Sequence, residues 1–164
     1  MEQTRAIEVR SADDEEELRR LSRRVRSTWG ESVARRGELL DPAEGELLGA
    51  YLDREIIGVA TYAIRGDECE VVAIEAYQPR QGIATDLMDE IRSRAAAAGC
   101  RRLWLVTTND NVPAIGFYQR WGMDLVALRR DAVTEARARL KPEIPETGFE
   151  DIPIRHELEF EIQP

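Results

Sequence analysis

The sequence is poor in the residues that build metal sites, disulfide frameworks and membrane spans. Its 164 residues include two cysteines, one histidine and one lysine. Cys69 and Cys100 are too few for a disulfide framework and have no zinc-ligand spacing, so we expect buried thiols and no metal. No stretch approaches the roughly 20 apolar residues of a spanning helix, and the amino terminus lacks a signal-peptide core. These absences predict a cytoplasmic protein without a membrane partner.

The charge balance excludes a further class of partner. Lysine and arginine total 23 against 32 aspartates and glutamates, a formal net charge of −9. Phosphate backbones and anionic lipids attract basic proteins, so no nucleic acid is expected as a partner. A chain that is 43% hydrophobic and 34% charged is typical of globular proteins. Its length suits one compact core, and we expect a single domain over residues 1–164.

The first half of the chain predicts a strand, a helix and an antiparallel meander. Residues 5–10 alternate as a strand, and Ser11 is a candidate N-cap for the helix that follows. A looser segment, 31–40, is expected to hold a short second helix. Three strand-like runs then follow with turn signals between them, which indicates two successive hairpins. The runs are 47–52, 56–64 and 68–76.

The second half changes character. Apolar residues recur every three or four positions from 83 to 98, as in a helix with one apolar face. A strand at 101–107, a helix at 112–121 and a strand at 123–128 follow. Strand, crossover helix and strand imply a parallel pair inside a mixed sheet. The region 129–164 predicts a short helix at 132–140, a proline-containing loop and an exposed final strand, 154–162, that could pair across an interface.

The turn after the strand at 68–76 is a candidate diphosphate site. A helix start leaves backbone N–H groups unpaired and partly positive, and a diphosphate satisfies both properties. Gly82 and Ala84 are small enough for close approach, and Arg80 adds a positive charge. An ordinary tight turn explains the glycine equally well, and no G-x-G-x-x-G pattern supports a Rossmann dinucleotide site. The residues of the turn are Arg80, Gln81, Gly82, Ile83, Ala84 and Thr85.

The helix at 112–121 is the most informative segment. Asp110 or Asn111 is a candidate cap, and Pro113 fits the first turn. One face carries residues spaced by three and four. Considered alone, that face indicates core packing, with its tyrosine a half-buried aromatic. The residues of this face are Ala114, Phe117, Tyr118 and Trp121.

Together these segments resemble the GNAT superfamily of acyl-CoA N-acyltransferases. Its members carry N-x-x-A-x-x-F-Y-x-x-x-G-F/M in the second helix and [Q/R]-x-x-G-x-[G/A] with a later leucine at the first. The second motif is matched by Asn111, Ala114, Phe117, Tyr118, Gly122 and Met123. The first is matched by Gly82, Ala84 and Leu87. Pro79 departs from this motif at its first position, so the contribution of side chains to phosphate binding stays open. The resemblance covers about residues 47–128.

The resemblance implies an α/β (α+β) fold with a mixed, mostly antiparallel sheet of six to seven strands, one central parallel pair and helices on both faces. It implies that an amine attacks acetyl-CoA directly while both are bound, without a metal, and it allows a homodimer. Tyr118 occupies the family's position for the proton donor to the leaving thiolate. The strand edge at Ile74, Glu75 and Ala76 would pair with the pantetheine arm, and a backbone N–H near Ile74 would hold the oxyanion. Asn111 would help to position the cosubstrate.

The general base is open. Glu68 and Glu70 lie on one face of their strand by period two, and either could draw the amine proton off through water. Solvated surface carboxylates explain them equally well. Glu75 should point to the opposite face. His156 is better explained as a surface residue than as the general base, because the ordinary pKa of histidine is the only property that favours a base.

The acceptor and two other functions also stay open. The resemblance implies that segments 29–40 and 141–153 line the acceptor groove. Acidic residues in the second segment favour a cationic amine, either a small molecule or a basic peptide end. These are Glu143, Glu146, Glu150 and Asp151. A module that senses acyl-CoA without turnover is the main alternative. A nucleotide-binding regulatory domain would use the Gly82 turn but leave the 111–123 pattern unexplained.

Overall fold

The computed structural model describes residues 6–78 and 82–164. The described strands are β1 (Glu8–Arg10), β2 (Val33–Arg35), β3 (Glu38–Leu40), β4 (Glu46–Leu52), β5 (Glu55–Arg65), β6 (Glu68–Ala76), β7 (Arg102–Thr108), β8 (Asp124–Arg129) and β9 (Glu157–Ile162). The described helices are α1 (Glu15–Trp29), α2 (Ile83–Ala97), α3 (Val112–Trp121) and α4 (Ala132–Arg139), with a 3₁₀ turn at Phe149–Asp151.

Seven strands form one sheet in the order β1-β4-β5-β6-β7-β9-β8, and β2 and β3 form a separate hairpin. Strands β6 and β7 are parallel, and the other neighbours in the sheet are antiparallel. The predicted meander is confirmed as β4, β5 and β6. Its first turn, Asp53-Arg54, has φ angles of 50° and 71°, as in the type I′ turns that suit hairpins. The predicted mixed sheet with one parallel pair is confirmed.

Helices cover both faces of the sheet. Helices α2 and α3 share one apolar cluster with β4, β5, β6, β7 and β9, in which Leu87, Ile91 and Phe160 are fully buried. Leu21 and Val25 of α1 pack in a second cluster on the other face, with Tyr51 and Val59. The apolar faces of the helices explain why the elements form where they do. Of the helices in the described ranges, none combines the length and the apolar character needed to cross a bilayer.

Two local predictions in the first half are wrong. Segment 31–40 forms the β2–β3 hairpin rather than a helix, and Val33 pairs with Leu40 across it. Its turn places Arg36 at φ 51°, a conformation that the sequence pattern does not reveal. The N-cap of α1 is Asp14, whose Oδ1 accepts from the Glu17 N–H at 2.8 Å. Ser11 instead accepts a hydrogen bond from Arg94.

The final strand is not an exposed edge, so that prediction is wrong as well. Strand β9 lies between β7 and β8 and pairs antiparallel with both. The edge on this side is β8, where Leu125 and Leu128 are exposed. The order of the strands in the sheet differs from their order in the sequence, so the last strand of the chain is not at the edge. Pairing between two copies through β9 therefore has no free strand edge to use.

Candidate active site: an opening between two parallel strands

The parallel strands β6 and β7 pair over only three positions. The pairs are Glu68 with Arg102, Cys69 with Leu103, and Glu70 with Trp104. Both strands continue beyond the last pair, β6 to Ala76 and β7 to Thr108. Their facing edges therefore separate after Glu70, and the edge of β6 over residues 71–76 has no strand partner on this side in the described ranges. Such an edge can accept an extended ligand by backbone hydrogen bonding, as predicted for Ile74, Glu75 and Ala76.

A β-bulge in β6 changes which residues share a face. Thr61 of β5 pairs with Ala73 and Tyr62 pairs with Val71, so Val72 is an extra residue. An extra residue reverses the alternation of the strand beyond it. Glu75 therefore lies on the α1 face, where the Thr28 hydroxyl donates to its Oε2 at 2.5 Å. Its predicted placement opposite Glu70 is wrong.

The start of α2 offers backbone donors beside this opening. Gly82 has φ 72°, a left-handed conformation that glycine adopts without strain, and no side chain from the described residues caps the helix. The N–H of Asp86 donates to the Gly82 carbonyl, so the N–H groups of Ile83, Ala84 and Thr85 precede the helical ladder. The side chain of Ile83 is in the core, which leaves its backbone for binding. Arg80 and Gln81, like Pro79, lie outside the described residues.

Tyr118 of α3 is buried in the apolar cluster that α2 and α3 share. Its ring contacts Phe117 at 5.5 Å and Phe160 at 5.8 Å between centroids, and the residue is 7% exposed. Burial raises the pKa of Tyr118 to about 12, so the phenol is protonated at neutral pH. Ala114 and Phe117 pack against the same cluster. Thr85 and Phe117 also line a groove of about 380 Å³ between α2 and α3.

A cavity of about 360 Å³ lies at the same opening on the α1 side. Strands β6 and β7 contribute Glu70 and Thr107 to its wall, and Asn111 also lines it. Asn111 does not cap α3 with its side chain; its Nδ2 donates to the Thr107 hydroxyl at 3.2 Å. Both predicted acceptor segments reach this cavity. They contribute Trp29, Val33, Ala34, Arg35, Lys141 and Ile144.

The two candidate bases are placed differently. Glu70 is 3% exposed and lines the cavity, where Arg35 donates to both of its oxygens at 2.6 and 2.8 Å. Glu68 does not line the cavity and forms ion pairs with Arg101 at 3.1 Å and Arg102 at 3.9 Å. Glu70 is therefore beside the predicted reaction site, but its charge is already balanced. The interpretation of Glu70 as a solvated surface carboxylate is therefore wrong.

Sequence analysis did not identify Glu157 as a site residue. This carboxylate is 2% exposed, lines the cavity and accepts the Arg36 N–H at 3.0 and 3.2 Å. Burial raises its pKa above the usual range, although nearby guanidinium groups act in the opposite direction. The alternation of acids at 157, 159 and 161 with apolar residues was the signal that could have indicated a polar inward face.

His156 and the cysteines have structural positions. The Asp131 N–H donates to His156 Nδ1 at 2.8 Å, which joins the start of α4 to β9. The histidine side chain is 17% exposed and does not line the cavity. Cys69 and Cys100 are both buried, as expected, and burial raises the pKa of Cys69 to about 12. Over the described ranges, no three histidine, cysteine or acidic side chains converge as metal ligands would.

Comparison with known proteins agrees with this architecture. The model of the acetyltransferase (GNAT) family matches residues 7–123. The uncharacterized protein YdhI of Bacillus subtilis (strain 168) is 46% identical over 106 residues, which cover 65% of this chain and 66% of that protein. That share is just under two thirds of the relative's length.

Solved structures share the fold over almost the whole chain. A Bacillus subtilis acetyltransferase in complex with CoA superposes with a TM-score of 0.70 at 17% identity, covering 97% of this chain and 99% of that one. A GNAT acetyltransferase from Elizabethkingia anophelis with acetyl-CoA bound gives a TM-score of 0.65 at 17% identity, with coverages of 96% and 98%. The chain belongs to the GNAT acetyltransferase family.

Proposed function

We propose that the protein transfers an acetyl group from acetyl-CoA to a primary amine by direct attack in a ternary complex. The observation that carries this proposal is the separation of β6 from β7 after Glu70. On one face the opening adjoins the uncapped start of α2, and on the other it adjoins a cavity large enough for a small molecule. A donor and an acceptor can therefore meet at the opening from opposite faces of the sheet.

The donor side combines four features. The free edge of β6 pairs with the amides of the pantetheine arm, and the N–H groups of residues 83–85 bind the diphosphate. The small residue Ala84 keeps the helix start accessible. A backbone N–H near Ile74 stabilises the oxyanion that forms when the amine adds to the thioester carbonyl. No metal is required by this arrangement.

The chemistry needs two protons removed from nitrogen and one leaving group stabilised. The acceptor ammonium loses one proton before the C–N bond forms, and the nitrogen loses the second to the departing thiolate as the C–S bond breaks. Tyr118 supplies a hydrogen bond to the departing sulfur. Because the tyrosine pKa of about 12 exceeds the roughly 8.5 of a thiol, this hydrogen bond is easier than complete proton transfer. The low polarity around the phenol strengthens the bond.

Binding of acetyl-CoA tests the donor site separately from turnover. Calorimetry with acetyl-CoA and ATP in parallel should detect binding of acetyl-CoA only. Gly82→Glu should weaken that binding at least roughly tenfold, because a carboxylate beside the diphosphate opposes it. Gly99→Glu is the matched control, since Gly99 has φ 76° and, like Gly82, open space where a Cβ would lie. Equal losses in both variants would contradict the assignment of the α2 start.

Turnover is measured as release of the CoA thiol with a panel of amines. Tyr118→Phe should keep acetyl-CoA affinity and reduce turnover by about 10²-fold, the lower range for loss of one acid catalyst. Tyr62→Phe is the control, because Tyr62 is another buried tyrosine with a distant hydroxyl partner, Arg94, at 3.4 Å. Unchanged turnover in Tyr118→Phe removes the phenol from the mechanism. Acetyl-CoA binding without turnover on any amine would instead indicate a sensor of acyl-CoA.

A further inference from the structure

The charges in the cavity are not all balanced by each other. Four ionisable side chains line the cavity, and each type is fully charged in water at neutral pH. They are Arg35, Glu70, Lys141 and Glu157. Arg35 and Glu70 form a two-point ion pair. Lys141 donates from Nζ to the Ser32 carbonyl at 2.5 Å, and Glu157 accepts a backbone N–H. Within residues 6–78 and 82–164, neither Lys141 nor Glu157 has an oppositely charged side chain in contact.

Glu157 contrasts with the two other acids on its face of β9. Glu159 forms ion pairs with Arg102 at 2.5 Å and Arg129 at 2.9 Å. Glu161 pairs with the same Arg102. Guanidinium groups are therefore abundant on this face, yet the carboxylate that opens to the cavity contacts none of them. The guanidinium groups of Arg35, Arg36 and Arg129 act on the Glu157 carboxylate only from beyond contact distance. A buried carboxylate without a contacting cation is costly, and its environment favours a partner that brings a positive charge or a proton.

Lys141 provides the complementary group. It is the single lysine of the chain, and it follows the last turn of α4. An ammonium that contacts only a neutral carbonyl retains its capacity to bind an anion, since it has three donors. The remaining wall is largely apolar and includes Trp29, Val33, Val106, Val133 and Ile144. The cavity thus offers one cation and one carboxylate in an apolar frame.

We propose that the acceptor is an amino-acid-like small molecule, whose amine binds Glu157 and whose carboxylate binds Lys141. This inference rests on the proposed function. Glu157 then takes one proton from the bound ammonium: an N–H bond breaks, an O–H bond forms on the carboxylate, and the free electron pair attacks the thioester. As the C–S bond breaks, the second proton that leaves nitrogen passes to the CoA thiolate, and CoA departs as the free thiol. The cavity volume of about 360 Å³ suits a small molecule with an apolar side chain.

This acceptor differs from the cationic one expected from the acidic segment 141–153. Its four acids are exposed and do not line this cavity, and Glu146 forms an ion pair with Arg137 at 3.4 Å. The segment instead contributes Lys141 and Ile144 to the cavity. The one charged side chain that the segment contributes to the cavity, Lys141, is therefore positive, although the segment as a whole is acidic.

Three matched acceptors test the proposal. Leucine, leucinamide and 3-methylbutylamine share an apolar frame and an amine, and only leucine carries a carboxylate. With acetyl-CoA as donor, kcat/KM for leucine should exceed that for each of the others by at least about tenfold, the factor that corresponds to about 1.4 kcal/mol. Phenylalanine, phenylalaninamide and phenethylamine repeat the comparison with a larger apolar side chain.

Variants separate the two charged groups. Lys141→Met should raise KM for leucine about tenfold and leave leucinamide unchanged, while Lys141→Arg should restore part of the preference. Glu157→Gln should reduce kcat for all three acceptors by about 10²-fold, without weakening acetyl-CoA binding. Arg139→Met is the control for loss of a positive charge, because Arg139 is exposed on α4 and does not line this cavity. Melting temperatures establish that each variant is folded.

The outcomes distinguish this proposal from the proposed function. If acetyl-CoA binds and the amines without a carboxylate are acetylated as fast as leucine, the acceptor proposal is wrong and the acetyltransferase proposal stands. The acceptor proposal is also wrong if Lys141→Met affects leucine and leucinamide equally. If acetyl-CoA does not bind, the donor site itself is wrong. A leucine preference that Lys141→Met abolishes supports the proposal.

Discussion

Close packing of α2 against β5 makes Gly58→Ala a direct test of the structure. A Cβ at Gly58 would lie 2.6 Å from Ile83 Cγ2, 3.0 Å from the Glu75 carbonyl oxygen and 3.3 Å from Leu87 Cδ1. Ordinary contact begins near 3.4 Å, so Ile83 must retreat by about 0.8 Å. Ile83 is β-branched, fully buried and the first residue of α2, so it cannot turn aside without moving the helix start.

The expected loss of stability follows from two opposed contributions. Overpacking a core typically costs about 1–3 kcal/mol, and replacing a strand glycine by alanine recovers about 0.5–1 kcal/mol. The net loss is about 0.5–2 kcal/mol, which lowers the melting temperature by roughly 1–8 °C in a protein of this size. Because the N–H groups of α2 move with Ile83, acetyl-CoA affinity should fall several-fold as well.

Gly116→Ala is the matched control for the same substitution. A Cβ at Gly116 would meet only the guanidinium end of Arg120, at 2.8 Å, and that flexible side chain can move. Gly116 lies inside α3, where alanine is favoured over glycine by about 0.5–1 kcal/mol. The control should therefore melt at a higher temperature than the parent. If Gly58→Ala also melts at or above the parent temperature, the close approach of α2 to β5 is refuted.

Two further predictions concern ion pairs. Glu70→Gln leaves the half-buried Arg35 with only the exposed Glu38 as a charged partner and should cost about 3 kcal/mol in urea unfolding. Glu38→Gln, which alters that exposed partner, should cost less than about 0.5 kcal/mol. Similar losses would contradict the burial of the Arg35–Glu70 pair. A hydrogen bond from Arg10 lowers the pKa of Glu17 to about 2 from 4.5. The stabilisation from this pair is therefore present above pH 4.5 and is lost as the pH falls toward about 2. The melting temperature of Glu17→Gln should consequently change less with pH in that window than that of the parent protein. An unchanged profile would exclude the Arg10–Glu17 pair as a cause of the pH dependence.

Local signals made α3 predictable, and the same segment carried the family motif. Pro113 fits the first turn of a helix and Gly122 ends it, so both boundaries follow from residues beside them. Tyr118 could be singled out from the motif, but its burial depends on Phe160, which is 42 positions away in sequence. The pKa of the phenol was therefore beyond sequence reasoning.

The errors arose where the geometry depends on distant pairing. Nothing in two successive valines tells that Val72 is the bulged residue, because the register is decided by β5. The period-two rule consequently failed for Glu75, although it was right for Glu68 and Glu70 before the bulge. In the same way, the position of β9 depends on which strand edge remained free after β7 was placed. That position is defined by pairing with β7 and β8 and not by the residues of β9 alone.

The proposed chemistry depends on three departures from a regular sheet. If β6 and β7 stayed paired to their ends, backbone hydrogen bonds would close the opening at Glu70. If β6 lacked its bulge, the edge residues 73–76 would be reversed between the two faces. If β9 were the outer strand, Glu157 would lie away from the cavity rather than 2% exposed within it. Regular pairing is the default of lowest cost, so a sheet retains such departures at a site only when the surrounding core stabilises them. The apolar clusters on both faces supply that stability here, and this explains why the site lies in the middle of the sheet and not at its rim.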